Sequence, residues 1–385
     1  MATPPNSTGT PHIAVVEPQM EELFHAPFNA ALLHTTVLAH PGASVSFQAF
    51  PAHSRIVREI LSQHDPVLAD SIDWRIVPLP SAKSSFERFL EARRFIRAAA
   101  SSSDRVLFTS ISRMQLLHLK RFLGSHPRYT VRAVLHGDLD RIGLKTKERF
   151  PNNLFPLERV LNSPHPGNLR YLLLSESIRQ SIPAAFRAAL AESAAIDHPY
   201  HFPPIDTVAP AQLSFGVFGN SGEAQLLEQV ARSVKAIDPA VRFSLVGFVS
   251  RKETVDRLDP LIEGVTHIPI DRDTFIQRAH NISHALWLAP PNSFRLRASG
   301  TFFDALAYGK PLIYTANPYI DPYYAAEPAI GVRCETIDDV PSAILQATRG
   351  YNPAQYVEAQ QAMQRLRHRF TPQQQAPGLA RALNW

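Results

Sequence analysis

Cysteine and long apolar runs are scarce in this sequence, and each shortage excludes a class of protein. Cys334 is the only cysteine among the 385 residues, which excludes an internal disulfide. The longest apolar stretches, such as 24–40, are interrupted by His and Asn and fall short of the roughly 20 apolar residues that a membrane-spanning helix needs. Residues 1–11 carry neither a basic start nor an apolar core, so we expect a disordered tail and no secretory signal. These absences predict a cytoplasmic protein.

Concentrated charge and metal-ligand clusters are also lacking. Lys and Arg number 39 against 34 acidic residues, and the resulting net charge of +5 suits phosphate-bearing ligands. The basic residues do not form the clustered stripe of nucleic-acid-binding proteins, so we expect no nucleic-acid partner. The His, Cys, Asp and Glu residues lack the spacing of a metal site, so we expect no metal and no cofactor.

What the sequence does have is a regular alternation of short β-rich runs with amphipathic helical segments. The chain length fits two domains. Alternating strands and helices predict mainly parallel sheets covered on both faces, so the expected fold class is α/β with two Rossmann-like domains. We place a first domain at 12–200, a second at 201–350, and at 351–385 a C-terminal helix and tail able to cross back to the first domain. The Pro-containing stretch 197–212 predicts the linker.

In the second domain the pattern predicts strands at 213–219, 242–247, 265–270, 285–289 and 311–314. Helix N-termini that follow such strands point free amides at a shared edge of the sheet, where anions bind.

Three of the loops that follow these strands carry candidate phosphate-binding groups. Gly219 and Asn220 form a turn before a helix, and Arg251 and Lys252 follow the next strand. A plain turn and a solvated helix start are the alternatives for these two features. The segment 292–311 is the most informative, because it joins a polar loop, a small-residue helix start and a Gly-Lys-Pro stop.

The helix start inside that segment suits a diphosphate. Ser299 and Thr301 offer hydroxyl groups, and Gly300 lets a ligand approach the backbone closely. Asp304, one turn into the helix, is a candidate acceptor for the hydroxyl groups of a ribose.

The order of these features, ending in Asp-Ala-Leu-Ala-Tyr-Gly-Lys-Pro-Leu-Ile at 304–313, resembles the C-terminal half of the GT-B glycosyltransferases, in particular their large retaining branch. The resemblance is clearest over 213–340 and only topological before it. It implies two domains facing across a cleft, the second binding a nucleotide diphosphate sugar and the first a glycan, lipid-linked or other hydroxyl acceptor. It also implies a hexosyl transfer in that cleft without a catalytic metal.

On this resemblance Asp304 stands for the second Glu of a paired-Glu motif, the one that holds the ribose. Arg251 and Lys252 fall in the region of a basic pair that binds the diphosphate. The position of the first Glu, eight residues before Asp304, is occupied by Leu296. Either Arg295 or Arg297 takes a phosphate-binding role, or the chain belongs to a divergent branch whose stereochemistry is not implied.

Candidate catalytic residues lie in the first domain. His136, in Leu-His-Gly-Asp at a strand end, is similar to the histidine that many retaining members place beside the donor sugar. Glu17 closes the first strand and His25 opens the following helix, where family members bind the acceptor, so either could act as a general base. Capping of a strand end by His136 is the structural alternative.

A basic amphipathic stretch at 83–97 leaves two interpretations open. It fits peripheral contact with the anionic inner face of a membrane, where a lipid-linked acceptor would reside, and it equally fits ordinary helix packing with a solvated basic face.

Two other functions compete with glycosyl transfer. A non-catalytic relative acting as a partner or scaffold in glycan assembly is favoured by Leu296, and a nucleotide-sugar epimerase would share the fold but need no acceptor.

Overall fold

The computed structural model describes residues 10–81, 84–142, 155–205, 207–219, 224–249, 251–290 and 293–385. The chain divides into two compact units. The first unit comprises the described residues up to His201 together with Phe370–Trp385, and the second unit comprises Phe202–Arg369. Expectations for Asn220, Lys83 and most of the 1–11 tail lie outside the described residues.

The first unit is built on a seven-stranded sheet whose strands pair in parallel in the order β3-β2-β1-β4-β5-β6-β7. This is the order of a doubly wound α/β fold with one added strand. The strands are β1 (His12–Val16), β2 (Ser44–Ala49), β3 (Asp73–Ile76), β4 (Arg105–Phe108), β5 (Thr130–Val134), β6 (Leu169–Leu173) and β7 (Ala194–Ala195). Its helices before the second unit are α1 (Ala26–Ala39), α2 (Pro51–His64), α3 (Pro66–Ser71), α4 (Ser85–Ala100), α5 (Arg113–Leu123), α6 (Leu157–Leu161), α7 (Glu176–Gln180) and α8 (Ala184–Arg187).

Local sequence explains these elements. Ile13 to Val16 of β1 are fully buried, as expected for a central parallel strand that is covered on both faces. α4 and α5, which pack against each other, both begin with a capping box, made by Ser84 with Glu87 and by Ser112 with Gln115. Each box satisfies backbone N–H groups that the helix leaves unpaired.

The second unit has a five-stranded parallel sheet in the order β12-β11-β10-β8-β9. Its strands are β8 (Ser214–Val217), β9 (Arg242–Leu245), β10 (His284–Trp287), β11 (Leu312–Thr315) and β12 (Gly331–Cys334). Its helices are α9 (Ala224–Lys235), α10 (Lys252–Leu258), α11 (Arg272–Asn281), α12 (Gly300–Ala307), α13 (Asp321–Ala326), α14 (Val340–Arg349) and α15 (Pro353–Arg369). The α/β fold class with two parallel, Rossmann-like sheets is thereby confirmed.

The strand predicted at 265–270 is wrong. The segment forms no strand, and Ile268 is 63% exposed. Pro269 has no N–H group for a strand ladder. The neighbouring backbone makes an isolated bridge between Ser244 and Glu263 and one hydrogen bond, from the Val249 N–H to the Thr266 oxygen at 2.8 Å. Alternating apolar residues therefore mark a surface loop here.

The stretch after α15, predicted as a tail, forms a further helix, α16 (Pro372–Leu383). α16 belongs to the first unit and packs on α1. Its buried residues include Ala376, Leu379 and Leu383, whose spacing of three and four places them on one helical face. None of the helices in the described part of the chain is long and apolar enough to cross a membrane.

One glycine in the second sheet tests how tightly β11 and β12 pair. A Cβ atom on Gly331 would lie 2.0 Å from the backbone oxygen of Leu312, its register partner. We expect Gly331→Ala to force the strands apart and to lower the free energy of unfolding by about 1–3 kcal/mol. Gly167→Ala is the matched control, because a Cβ atom there meets no atom within 4 Å. Urea denaturation measures both, and equal stabilities would contradict the close pairing.

Candidate functional site

The carboxyl ends of β8 and β9 meet the start of α12 in the second unit. Gly219, after β8, has a left-handed backbone with φ +75°, and a Cβ atom there would lie 3.0 Å from the Thr301 methyl carbon. Gly247, after β9, approaches so closely that a Cβ atom on it would lie 1.9 Å from the Gly219 oxygen. The N–H group of Phe248 donates to the same oxygen at 3.2 Å. The two strand-end loops thus meet backbone to backbone, and the Thr301 methyl group of the helix start lies beside Gly219.

The residues predicted to bind phosphate at the start of α12 have two different roles. The Ser299 hydroxyl oxygen caps the helix by accepting from the Phe302 N–H, and it also accepts from the Trp287 indole at 2.9 Å. Because Ser299 is fully buried, its role is to fix the helix start. Gly300, in contrast, is exposed, and the space where its Cβ atom would stand is open. Half-buried Thr301 lies beside it.

Asp304 lies one turn further along α12 and is half-buried. Burial, followed by the charge of Asp304, raises the pKa of Tyr308 to about 12. The Tyr308 ring stacks on Phe218, with centroids 6.0 Å apart and an interplanar angle of 14°. The Asp304 carboxylate therefore stands at the border of an aromatic cluster that begins at the end of β8.

Arg251 and Lys252 are both exposed at the start of α10. This helix follows β9, so the two cations lie at the carboxyl edge of the second sheet, as the pattern predicted.

The loop before α12 contains a feature that the sequence did not indicate. Phe294 adopts φ +56°, which is uncommon for a residue with a side chain, and its ring packs on Trp287 at 5.2 Å. The guanidinium carbon of Arg297 lies 4.0 Å from the Phe294 ring centroid. Leu296 is only 1% exposed. The loop therefore turns Leu296 into the core and stacks Arg297 on an aromatic ring.

In the first unit, Glu17 is the centre of a buried hydrogen-bond network at the carboxyl edge of the sheet. It is fully buried, and its two carboxylate oxygens accept from five donors. These are the Gln19 N–H at 2.9 Å, the Met20 N–H at 3.3 Å, Asn29 Nδ2 at 3.2 Å, Thr109 Oγ1 at 2.8 Å and Ser110 Oγ at 2.6 Å. This geometry favours a positioning role for Glu17, and its action as a base stays a prediction.

The structure brings together the two histidines that were predicted separately. The rings of His25 and His136 lie 4.5 Å apart between centroids, and Phe28 meets His136 edge-on at 5.2 Å. His198, which the sequence did not single out, packs on Phe28 at 4.5 Å and meets His136 edge-on at 6.3 Å. His25 begins α1 with φ 61°, a left-handed conformation that turns its ring back towards the strand ends.

Burial lowers the pKa of His25, His53 and His198. The pKa of His198 falls to about 3, and that of His25 falls despite the opposing charge of Glu17. The pKa of His53 also falls, and His53 Nε2 lies 2.8 Å from Asn29 Nδ2, which also donates to Glu17. His25, His53 and His198 are therefore neutral at pH 7.

Asp138, two residues after His136, is used in ion pairs with Arg113 and Arg141. The Asp138 carboxylate accepts from the Arg113 N–H at 3.1 Å and lies 3.8 Å from the Arg141 side chain. Across the residues that the structure describes, no group of three or more His, Cys, Asp and Glu side chains is arranged to hold a metal ion.

The basic face of α4 is on the surface of the first unit. Its exposed residues are Arg88, Arg93, Arg94 and Arg97, and Phe86 is 61% exposed. Phe89 instead packs against His118 of α5, with ring centroids 4.5 Å apart. α4 thus packs as a helix and also presents a basic surface, so both of its interpretations remain open.

The depressed pKa of His198 predicts how stability changes with pH. A histidine that stays neutral in the folded state is protonated first in the unfolded state, so stability is complete above about pH 6.5 and falls as the pH drops towards the folded pKa near 3. Each such histidine contributes about 1.4 kcal/mol per pH unit in that window. We expect His198→Gln to reduce the slope of unfolding free energy against pH between these limits. The same substitution at exposed His267 controls for loss of an imidazole, and an unchanged slope in His198→Gln would contradict the assignment.

Comparison with protein-family models gives no match, and no curated protein matches by sequence. Solved structures do match over nearly the whole chain. Anabaena HepE, in complex with UDP and glucose, is 13% identical with a TM-score of 0.63, and the match covers 96% of this chain and 99% of that one. A glycosyltransferase from Rickettsia africae is 13% identical, with a TM-score of 0.61 and coverage of 97% and 96%.

A third match is WaaG, a glycosyltransferase involved in lipopolysaccharide biosynthesis. It is 11% identical, with a TM-score of 0.56 and coverage of 96% of this chain and 98% of that one. At such identities the likeness concerns architecture, and the two parallel sheets described above supply the same architecture independently. The chain has the GT-B fold of glycosyltransferases.

Proposed function

We propose that this protein is a glycosyltransferase of the hexosyltransferase type. It transfers a sugar from a nucleotide diphosphate sugar, held by the second unit, to a hydroxyl group of a glycan, lipid-linked or other acceptor, without a catalytic metal. In the reaction the acceptor oxygen bonds to the anomeric carbon, the bond from that carbon to the phosphate oxygen breaks, a base takes the acceptor proton, and the nucleoside diphosphate leaves.

The observation that carries the proposal is the junction of Gly219, Gly247 and Thr301. It brings a glycine turn against the start of α12, where Gly300 leaves the backbone amides accessible. Free amides at a helix N-terminus, together with the positive end of the helix dipole, favour phosphate oxygens.

Charged side chains complement this helix start. Arg251 and Lys252 offset the negative charge that develops on the leaving diphosphate, a role that replaces a metal ion. Arg297 is held by its stacking on Phe294 and supplies a guanidinium group in the loop that precedes α12. Asp304 accepts from the ribose hydroxyl groups. Because HepE was solved with UDP and glucose, we take UDP as the first nucleotide to test.

Acceptor chemistry is assigned to the histidine cluster of the first unit. His25 and His136 are half-buried and lie within ring contact. A neutral imidazole is able to take a proton from a hydroxyl group, and the lowered pKa of His25 keeps it neutral at pH 7. Glu17 positions the loops around His25 through its five donors.

Binding of a nucleotide sugar without transfer is a second candidate function, because Leu296 is buried where the retaining branch has its first Glu. Product analysis separates the possibilities. An epimerase would interconvert the donor alone, a scaffold would bind it unchanged, and a glycosyltransferase would release UDP in the presence of an acceptor.

The open position at Gly300 gives a direct test of donor binding. We expect Gly300→Asp to keep the apo protein at least as stable, because an acidic residue suits a helix N-terminus and the side chain meets no atom. Its charge would repel the diphosphate and weaken UDP binding by about tenfold or more, as would the loss of a charged acceptor in Asp304→Asn. Isothermal titration calorimetry measures the affinity.

Asp259→Asn is the matched control, since Asp259 is exposed at the far end of α10. Unchanged UDP affinity in Gly300→Asp would remove the main support for a donor site at α12.

Catalysis is tested separately from binding at the histidine cluster. We expect His136→Gln and His25→Gln each to lower kcat by about a hundredfold or more, the usual contribution of a general acid or base, while UDP affinity stays within about twofold. Rates of UDP release with a panel of donors and acceptors measure kcat, and His267→Gln serves as the control. Full activity in both cluster variants would exclude proton transfer by these histidines.

A further inference from the structure

A depression of about 530 Å³ lies at the amino ends of β5 and β6 in the first unit. Its lining includes Gly124, Thr130, Arg132, Gly167, Asn168 and Arg170. Glu17 and His136 follow the carboxyl ends of strands in the same parallel sheet, so the depression is at the opposite edge from them. It is also in a different unit from Gly219 and α12.

The depression contains two arginines that lie side by side on neighbouring strands. Arg132 of β5 and Arg170 of β6 are direct register partners, and like charges in that relation destabilise a sheet. Burial, and then the charge of Arg170, lowers the pKa of Arg132 to about 10. A pair of this kind is stable when an anion lies between the two guanidinium groups.

Neither arginine has a carboxylate partner among the described residues. The Arg132 guanidinium, only 4% exposed as a residue, donates to the backbone oxygens of Leu383 at 2.7 Å, Asn384 at 2.8 Å and Val131 at 3.1 Å. These carbonyl groups satisfy hydrogen bonds but carry no net charge. Arg170 is half-buried, and its side chain makes no ion pair or hydrogen bond with any residue that the structure describes.

The described residues that line the depression include Arg132 and Arg170 and no Asp or Glu. A concave surface with charge of one sign concentrates the opposite charge from solution. The volume lies within the range of about 300–1,000 Å³ that is usual for small-molecule sites.

We propose that this depression is a second anion site, which binds a phosphate monoester. Arg170 binds the phosphate oxygens in a bidentate manner, since a guanidinium matches their geometry, and Arg132, fixed by its three carbonyl acceptors, adds the second positive charge. The phosphate belongs to a soluble ester or to the headgroup of a lipid. In both cases the two guanidinium groups would bind the same phosphate oxygens.

The test uses the full chain with inorganic phosphate as the probe, titrated at constant ionic strength so that screening does not change. In a Gly300→Asp background, which removes phosphate binding at the proposed donor site, the thermal midpoint rises with phosphate. Adding Arg170→Gln abolishes that rise and increases the dissociation constant by about tenfold or more. Without phosphate, Arg170→Gln is as stable as the wild type or more so, because the like-charge pair is removed. This second readout separates loss of a ligand from loss of folding.

Two control variants locate the effect. Arg381→Gln changes an exposed arginine of α16, and Arg349→Gln changes an exposed arginine of α14, and both keep the phosphate response. Sedimentation with phosphatidylcholine vesicles, with and without phosphatidic acid, identifies the source. Arg170-dependent binding to the acidic vesicles assigns a lipid headgroup, and its absence assigns a soluble ester. An equal phosphate response with and without Arg170→Gln in the Gly300→Asp background overturns the proposal.

Discussion

Parallel pairing of every strand is the constraint on which the rest of this structure depends. Parallel neighbours need a crossover after each strand, so helices cover both faces and the strands become apolar on both sides. The same rule sends all carboxyl ends of a sheet to one edge. That is why residues far apart in sequence, such as Glu17, Ser110 and His136, share an edge in the first unit, and why Gly219, Gly247 and Thr301 meet in the second.

The fold was largely accessible from sequence because this constraint leaves a periodic pattern. The strands predicted at 242–247, 285–289 and 311–314 overlap β9 (Arg242–Leu245), β10 (His284–Trp287) and β11 (Leu312–Thr315), because short apolar runs between turns are typical of buried parallel strands. The pattern gave the wrong structure in two places. A strand was predicted at 265–270, where apolar residues lie on a surface loop, and a tail was predicted at α16, whose one apolar face is interrupted by glutamines. In both places tertiary contacts, rather than local preference, decide the structure.

The candidate site was predictable to a lesser degree. Motif order placed Gly219, Ser299 and Thr301 near one another, because strand-end loops of a parallel sheet converge. Motif order could not distinguish buried Ser299 from exposed Gly300, because Ser299 is buried through a contact with Trp287 at the end of β10. His198 and Gly247 were missed for the same physical reason, because each acts through a contact with a residue distant in the chain.

The discontinuity of the first unit has a consequence for synthesis. α1 is buried over most of its length, from Ala26 to Thr36, and α16 packs on it, yet α16 follows the whole of Phe202–Arg369 in the chain. A ribosome therefore completes the second unit, which is continuous, before it supplies the last helix of the first. Until then the apolar surface of α1 that α16 covers is exposed, which favours aggregation or chaperone binding.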